Sequence, residues 1–522
     1  MKRKITTGTN NPSLDREINV IPLRYVIAII ITILEVLSII SIVALLALYV
    51  PYFYVALWIT ECVVVIFIVV SNQNPDYKLT WLFVVVAIPL VGLMLFIIFH
   101  KRRFPKKTTK KLMAIKESYS VDDKNVLESI YKDNQLLSTD AKMLCDISSS
   151  HAYKDSSVEY FTSGSEMLFD VLIELKRAKK FIFLEYFIIE EGEFWNSILD
   201  VLIEKSKNGV EVRLVYDDVG CMGTLPGNYY KKLQKNYGIN AVPFYKLKGQ
   251  ADNEFNNRSH RKILIIDGVK AYTGGINVAD EYINKKNRFG HWKDTGIKVT
   301  GNAVNEFTKL FLSDYYLNVK GAVSSSLKEY YVNQESSNGT GYIIPFGDAP
   351  KPIYDIPVAK YTILNMLSHA KEYVYITTPY LIIDNELTKA IQTTALRGVD
   401  VRIIVPGVPD KKIVYGITKN NCRELEKAGV KIYKYLPGFI HAKTYLSDDS
   451  TAILGTVNLD YRSLTHHFEN GVWIYKSDAI LDVKKDFIDT LDKSERFFDL
   501  QLDSNFFVKI VNVFVKIFSP LL

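Results

Sequence analysis

One pattern in this chain occurs twice, and it limits the fold more than anything else in the sequence. His260-Arg261-Lys262-Ile263-Leu264-Ile265-Ile266-Asp267 is followed by Gly274-Gly275-Ile276-Asn277. His441-Ala442-Lys443-Thr444-Tyr445-Leu446-Ser447-Asp448 is followed by Gly455-Thr456-Val457-Asn458. Both obey His-x-Lys-x4-Asp-x6-Gly-[Gly/Thr]-x-Asn. The repeat is wider than the motif: Ala178–Phe183 is echoed by Ala370–Tyr375, and Asn208–Val215 by Arg397–Ile404. Strand-like and helix-like stretches alternate around them, as in an α/β domain. The chain is therefore expected to contain two homologous α/β halves facing each other, 140–322 and 340–504, joined by a Ser/Asn/Gly-rich connection over 323–339.

The motif carries phosphodiester chemistry. Residues two apart in a strand share a face, so His260 projects with Lys262, and His441 with Lys443. A turn and a second strand return Asn277 and Asn458 beside them. An imidazole serves as nucleophile or general acid near neutral pH. Lysine and asparagine side chains hold non-bridging phosphoryl oxygens and stabilise charge in an in-line displacement. Such a reaction needs a nucleophile and an acid for the leaving alkoxide, and two facing halves supply one imidazole each. Asp267 and Asp448 complete the motif and are counted with the candidate catalytic set. A lone His-x-Lys is an accident of composition, but two in register are not. No metal is expected, because a lysine stands where a second ligand would be needed and no other His or Cys has ligand spacing. No cofactor is implied.

The apolar fraction is 48%, high beside 23% charged residues, and the excess lies near the N-terminus. Tyr25–Val70 is almost continuously apolar, interrupted by Glu35, Glu61 and Pro51. One span needs about 20 residues. After a polar interval, Leu79–Phe99 is again uncharged. We read a polar basic tail over 1–24, a transmembrane module over 25–100 with candidate helices 25–49, 51–70 and 79–99, and a basic juxtamembrane linker over 101–139. The module makes this a multi-pass cell-membrane protein. Basic residues crowd Lys101–Lys111 and should hold the catalytic halves in the cytoplasm. The tail, with Lys2, Arg3, Lys4, Arg16 and Arg24, prefers the same side, which requires an even number of crossings, yet there are three candidate helices. Either the tail is exported or one segment is re-entrant. Glu35 and Glu61 are expected to share a buried proton between packed helices or to touch a headgroup. Asn505–Leu522 reads as an amphipathic helix lying on the membrane or packed on the domain. Cys62, Cys145, Cys221 and Cys422 lie too far apart for a disulfide framework or zinc cluster. No basic groove interleaved with aromatics points to nucleic acid.

The motifs resemble the phospholipase D superfamily, and within it the bacterial cardiolipin synthases. The resemblance is carried by Asn257–Lys262, Thr273–Asn277, Asp280-Glu281-Tyr282, Leu184-Glu185-Tyr186 and Trp292–Thr295 in the first half. Pro437–Lys443 and Asn458–Ser463 carry it in the second. Asn74-Pro75, Trp81, Pro89 and Gly92 look like that family's membrane module, and Phe518–Leu522 like its C-terminus. The resemblance implies a metal-independent reaction between two phosphatidylglycerol molecules, giving cardiolipin and glycerol through a phosphohistidine, with His260 attacking and His441 acting as acid and base. It implies that Asp267 and Asp448 brace the motif rather than react. It also implies an acidic residue downstream of each motif that orients its histidine: Asp294 in the first half, and Glu469, set against His441, in the second. Two departures stand out. His467, preceded by His466, occupies a place where the family often has asparagine, and the run Tyr25–Val70 exceeds one helix.

Overall fold

The computed structural model describes residues 2–5, 16–19, 23–49, 52–100, 106–247, 256–319, 327–334, 337, 339–497 and 518. The catalytic part holds two mixed sheets of matching topology. The first runs, edge to edge, through Ser157–Phe161, Gly296–Thr300, Lys270–Gly274, Lys262–Ile266, Phe181–Tyr186, Glu211–Asp217 and Asn240–Phe244. The second repeats that order with Tyr342–Asp348, Glu469–Tyr475, Thr451–Gly455, Thr444–Ser447, Tyr373–Thr377, Asp400–Pro406 and Lys431–Tyr435, then adds Ser494–Arg496. In each sheet the three strands from Phe181 or Tyr373 onward are parallel and joined through helices, and the motif strand pairs antiparallel to the first of them. These central strands are buried along most of their length, as strands covered on both faces must be.

The motif aspartates explain part of this symmetry. Asp267 and Asp448 each sit at φ 53°, in the left-handed region that aspartate tolerates at a tight turn. The Asp267 carboxylate accepts from the backbone N–H groups of Lys179, Lys180 and Phe181, at 2.7–2.9 Å. Asp448 accepts from those of Lys371, Glu372 and Tyr373. Each thus ties the turn after its motif strand to the start of the neighbouring strand, and both carboxylates are occupied by the fold. Gly274 and Gly455 matter for another reason: at φ 147° and 156°, a Cβ would stand 2.4 Å from the carbonyl oxygen of Thr295 or Asn470 on the next strand.

The helix Val304–Asn318 lies between the sheets, with Phe307 and Phe311 fully buried and Asp314 paired at 2.8 Å with Arg261. The stretch expected to be a linker over 101–139 is, in its described part, helical. Lys106–Lys116, Lys124–Asp133 and Gln135–Ser148 are helices, and Leu112, Ile115, Ile130 and Leu144 are buried. Apolar residues at helical spacing pull this segment onto the catalytic core, and Lys111 and Lys116 donate to backbone carbonyls there. The basic residues of 101–105 lie outside the described residues.

The membrane module departs from its expected form. Helices α1 (Leu23–Tyr49) and α2 (Phe53–Val70) are long and apolar enough to cross a bilayer. The third candidate, 79–99, is instead two helices, α3 (Pro75–Ala87) and α4 (Pro89–His100). The helix breaks at Ile88, where ψ is 73°, just before Pro89. The chain then doubles back, so that Trp81 meets Phe96 edge-on at 5.3 Å, and Gly92 lies so close to Val84 and Val85 that no Cβ would fit. At 1.5 Å per residue each arm is roughly 20 Å long, short of a hydrocarbon core of about 30 Å. Glu35 is exposed on α1 and Glu61 is half-buried on α2.

The connection from α2 to α3 docks on the second half. Asn74 caps α3 and donates to Asp384 at 2.8 Å, while Asp76 accepts from the Tyr461 hydroxyl at 2.7 Å. Tyr77 lies 6.3 Å, centroid to centroid, from the His466 ring. Of the C-terminal segment 505–522 only Phe518 is described, edge-on to Phe83 of α3 at 6.0 Å.

Candidate functional site

The two motifs meet through exchanged backbone pairing. The Gly438–Ile440 strand pairs in parallel with His291–Lys293 of the other half, and the His441 N–H donates to the Lys293 carbonyl at 2.7 Å. On the other side Ser259 bridges Phe468, and the His260 N–H donates to the Phe468 carbonyl at 2.8 Å. Lys293 and Phe468 each directly precede an acid. The exchange therefore delivers each carboxylate to the opposite half's imidazole: His260 Nδ1 lies 3.0 Å from Glu469, and His441 Nδ1 lies 2.7 Å from Asp294. The sequence expectation that Glu469 orients His441 is corrected here. The two acids do face imidazoles, but crosswise, because the pairing runs between halves rather than within one.

Both histidines stand just ahead of their motif strands, which begin at Lys262 and Thr444. The lysines fold back on them. Lys262 Nζ donates to the His260 carbonyl at 2.7 Å, and Lys443 Nζ reaches both the His441 carbonyl and its Nδ1. All four side chains are buried. With a carboxylate at Nδ1, each ring's Nε2 is left to face a reacting atom.

The chain matches known proteins over most of its length. The family model described as "Cardiolipin synthase, PLD-like domain" matches residues 171–311 and 363–491, once in each half. A cardiolipin synthase of Alkalihalophilus pseudofirmus is 33% identical over 468 residues, covering 88% of this chain and 91% of that protein. The chain belongs to the cardiolipin synthase family. That is a family of phosphatidyltransferases within the phospholipase D superfamily. A cardiolipin synthase of Staphylococcus aureus is 33% identical over 439 residues, 81% of this chain and 87% of that one. An uncharacterised protein of Streptococcus mutans is 39% identical over 470 residues, 88% of this chain and 99% of its own. Among solved structures, the phosphatidylserine synthase of Haemophilus influenzae aligns with a TM-score of 0.55 at 17% identity, over 73% of this chain and 98% of that one, and so shares the fold.

In this cardiolipin synthase family member, burial dominates the electrostatics. It lowers the His260 imidazole to about 3 and His441 to about 4, although Glu469 and Asp294 pull the other way. Both rings are therefore neutral at pH 7. Burial also lowers the Lys262 ammonium to about 7 and the Lys443 ammonium to about 8. The motifs feel each other: the Lys443 charge depresses Lys262, and the Lys262 charge depresses His441. Burial alone would raise the Glu469 carboxyl, but His260 and His467 more than offset it and hold it well below its ordinary range.

The two asparagines are placed differently. The Asn277 side chain accepts from the Ile188 N–H and donates to the Tyr282 hydroxyl at 2.7 Å, whereas Asn458 Oδ1 is buried without a hydrogen-bond partner. Sequence reasoning missed the side chains that hold the acids. Glu469 accepts from Ser463 at 2.6 Å and from Thr456, and Asp294 accepts from the Thr295 N–H at 2.8 Å. The signal for Thr456 was its place opposite Gly275 in the motif. His260, His467 and Glu469 bring three donor atoms within 4.8 Å, a set that could ligate an ion and that ligand spacing along the chain did not reveal. Two of the three donors face each other across the His260–Glu469 contact.

Proposed function

We propose that this enzyme converts two phosphatidylglycerol molecules into cardiolipin and glycerol through a phosphatidyl-histidine. His260 Nε2 attacks phosphorus, the bond from phosphorus to the headgroup glycerol oxygen breaks, and that oxygen takes a proton from His441. The hydroxyl of a second phosphatidylglycerol then attacks phosphorus, giving its proton to His441 as the nitrogen–phosphorus bond breaks. Lys262, Lys443 and Asn458 hold the phosphoryl oxygens, and Asn277 lends its remaining amide hydrogen. No divalent ion is required by this donor set. The arriving phosphate raises His441 from its low resting value, so the acid is protonated when substrate is bound. The observation that carries the reading is the pair of imidazoles, each backed by a carboxylate from the other half and each with its own lysine.

In the same reading α1 and α2 cross the membrane and the α3–α4 hairpin is re-entrant. Two crossings put the N-terminal tail and the catalytic halves on one side, which Lys101–Lys111 makes the cytoplasm. Incubating the purified full-length enzyme with labelled phosphatidylglycerol, alone and with phosphatidylethanolamine, and resolving the lipids tests the reaction. Cardiolipin with released glycerol is expected from phosphatidylglycerol alone; phosphatidic acid alone would identify a hydrolase. Labelling of a surface cysteine in 140–500 by an impermeant reagent in intact cells would overturn the orientation.

A further inference from the structure

A cavity of about 710 Å³, a size suited to part of a lipid, opens beside His467. One wall is the docked connection of the membrane module, from Phe67 through Asn72 to Tyr77. Ile356 and Tyr361 of the second half line it too, and so does His467. Its ring is 5.5 Å from the His260 ring, centroid to centroid. The His467 side chain is only 10% exposed, yet neither ring nitrogen has a hydrogen-bond partner. Buried polar atoms are partnered in the large majority of cases. Glu469, the nearest acid, is 3.7 Å away, beyond hydrogen-bond length, and its oxygens are already engaged by His260, Thr456 and Ser463.

We propose that this cavity seats the diacylglyceryl arm that stays on phosphorus throughout the reaction, and that His467 donates a hydrogen bond to a phosphoryl or adjacent ester oxygen of that arm. The proposal rests on the reading that His260 carries the phosphatidyl group. In an in-line displacement the attacking and leaving atoms occupy opposite sides of phosphorus. The retained substituents then stand around its equator, and the diacylglyceryl group must leave the site sideways. His467 joins the cavity to His260, and the cavity wall reaches Phe67 in the last turns of α2. There Val63, Ile66, Val69 and Val70 are exposed and offer an apolar surface for acyl chains. His467 is thus a substrate-contacting residue, and the α2–α3 connection forms part of the substrate site rather than only an anchor.

The test compares two substrates on the full-length enzyme: dioleoyl phosphatidylglycerol in mixed micelles, read as released glycerol, and the water-soluble diester bis(p-nitrophenyl) phosphate, which has no acyl arm. Ile356→Trp, at a partly exposed position on the cavity wall, is expected to lower kcat/KM for the lipid about tenfold, mainly through KM. The small diester should stay within about twofold. His467→Ala is expected to lower turnover of the lipid about tenfold, and His467→Asn, which keeps a donor, to recover most of it. Equal losses on both substrates for Ile356→Trp, or none on the lipid, would overturn the cavity assignment. His467→Asn no better than His467→Ala would overturn the contact. Glycerol release is scored whether the other product is cardiolipin or phosphatidic acid, so a wild-type enzyme that only hydrolyses sinks the proposed reaction and not the cavity.

Discussion

Around His260 the acid is a glutamate, gripped by the hydroxyls of Thr456 and Ser463; around His441 it is an aspartate, held by a single backbone N–H and pressed against Gly275. A Cβ on residue 275 would stand 2.0 Å from Asp294 Oδ1, so the glycine of one copy and the threonine of the other match acids of different reach. The lysines differ too, since Lys443 touches its imidazole's Nδ1 and Lys262 donates to its histidine's carbonyl. His467 opens one side alone, that of His260. Two copies of one motif have thus acquired unlike surroundings, as a reaction needing one nucleophile and one acid requires. In the proposed reaction, the copy whose histidine neighbours His467 is the one that carries the bulky covalent adduct.

The largest effects should come from the imidazoles. His260→Ala and His441→Ala are each expected to lower kcat by about 10³-fold or more. Mass spectrometry of the quenched protein should find a phosphatidyl adduct on His260 in the His441→Ala variant and none in His260→Ala. An adduct on His441 instead would invert the comparison between halves.

Next come the crossed acids. Removing the charge with Glu469→Gln or Asp294→Asn should cost roughly 10²-fold or more in kcat. Their rapid-quench kinetics should differ: Glu469→Gln slows adduct formation on His260, while Asp294→Asn slows the steps that need His441. Exchanged phenotypes would mean that the backbone exchange between halves does not govern the chemistry.

A smaller effect is expected with pH. The free-enzyme profile, kcat/KM, should fall more steeply as pH rises through the range 7 to 8, where Lys262 and then Lys443 lose their protons. On the acid side, loss should begin only as pH approaches 3, where the nucleophile His260 takes up a proton, because His441, the acid, needs its proton and loses it above about 4. Lys262→Arg, which stays charged, should remove the lower part of the alkaline fall in whatever activity it retains.

The smallest effects test the glycines. Gly274→Ala and Gly455→Ala collide with a neighbouring strand and should destabilise the fold by roughly 2 kcal/mol or more in thermal or denaturant unfolding. Gly209 and Gly398 also have positive φ, but a Cβ there meets open space, so alanine should cost only about 1 kcal/mol.

Much of this molecule could be read along the chain, and what could not has a common cause. The motif spacing located His260, Lys262, His441 and Lys443, and the internal repeat anticipated two sheets of one topology, because strand order and turn chemistry are local. Asp267 and Asp448 were visible for the same reason. The pairing of Glu469 with His260 was hidden, since it follows from Phe468 hydrogen-bonding across the halves, a contact no spacing encodes. The α3–α4 hairpin was hidden differently: 79–99 has the length and polarity of a span, and the doubling back depends on Ile88-Pro89 together with the close approach at Gly92. His467 showed only as a departure from the family's usual asparagine, until burial left its ring nitrogens without a hydrogen-bond partner.

The docking of Asn74 and Asp76 on Asp384 and Tyr461 has a further consequence. If α1 and α2 span the bilayer, this clamp fixes the reacting centre at one height above the lipid surface and denies it free tumbling. Encounter then happens in two dimensions. The rate should follow the mole fraction of substrate in the surface rather than its bulk concentration, and inert lipid added at constant total phosphatidylglycerol should slow the enzyme.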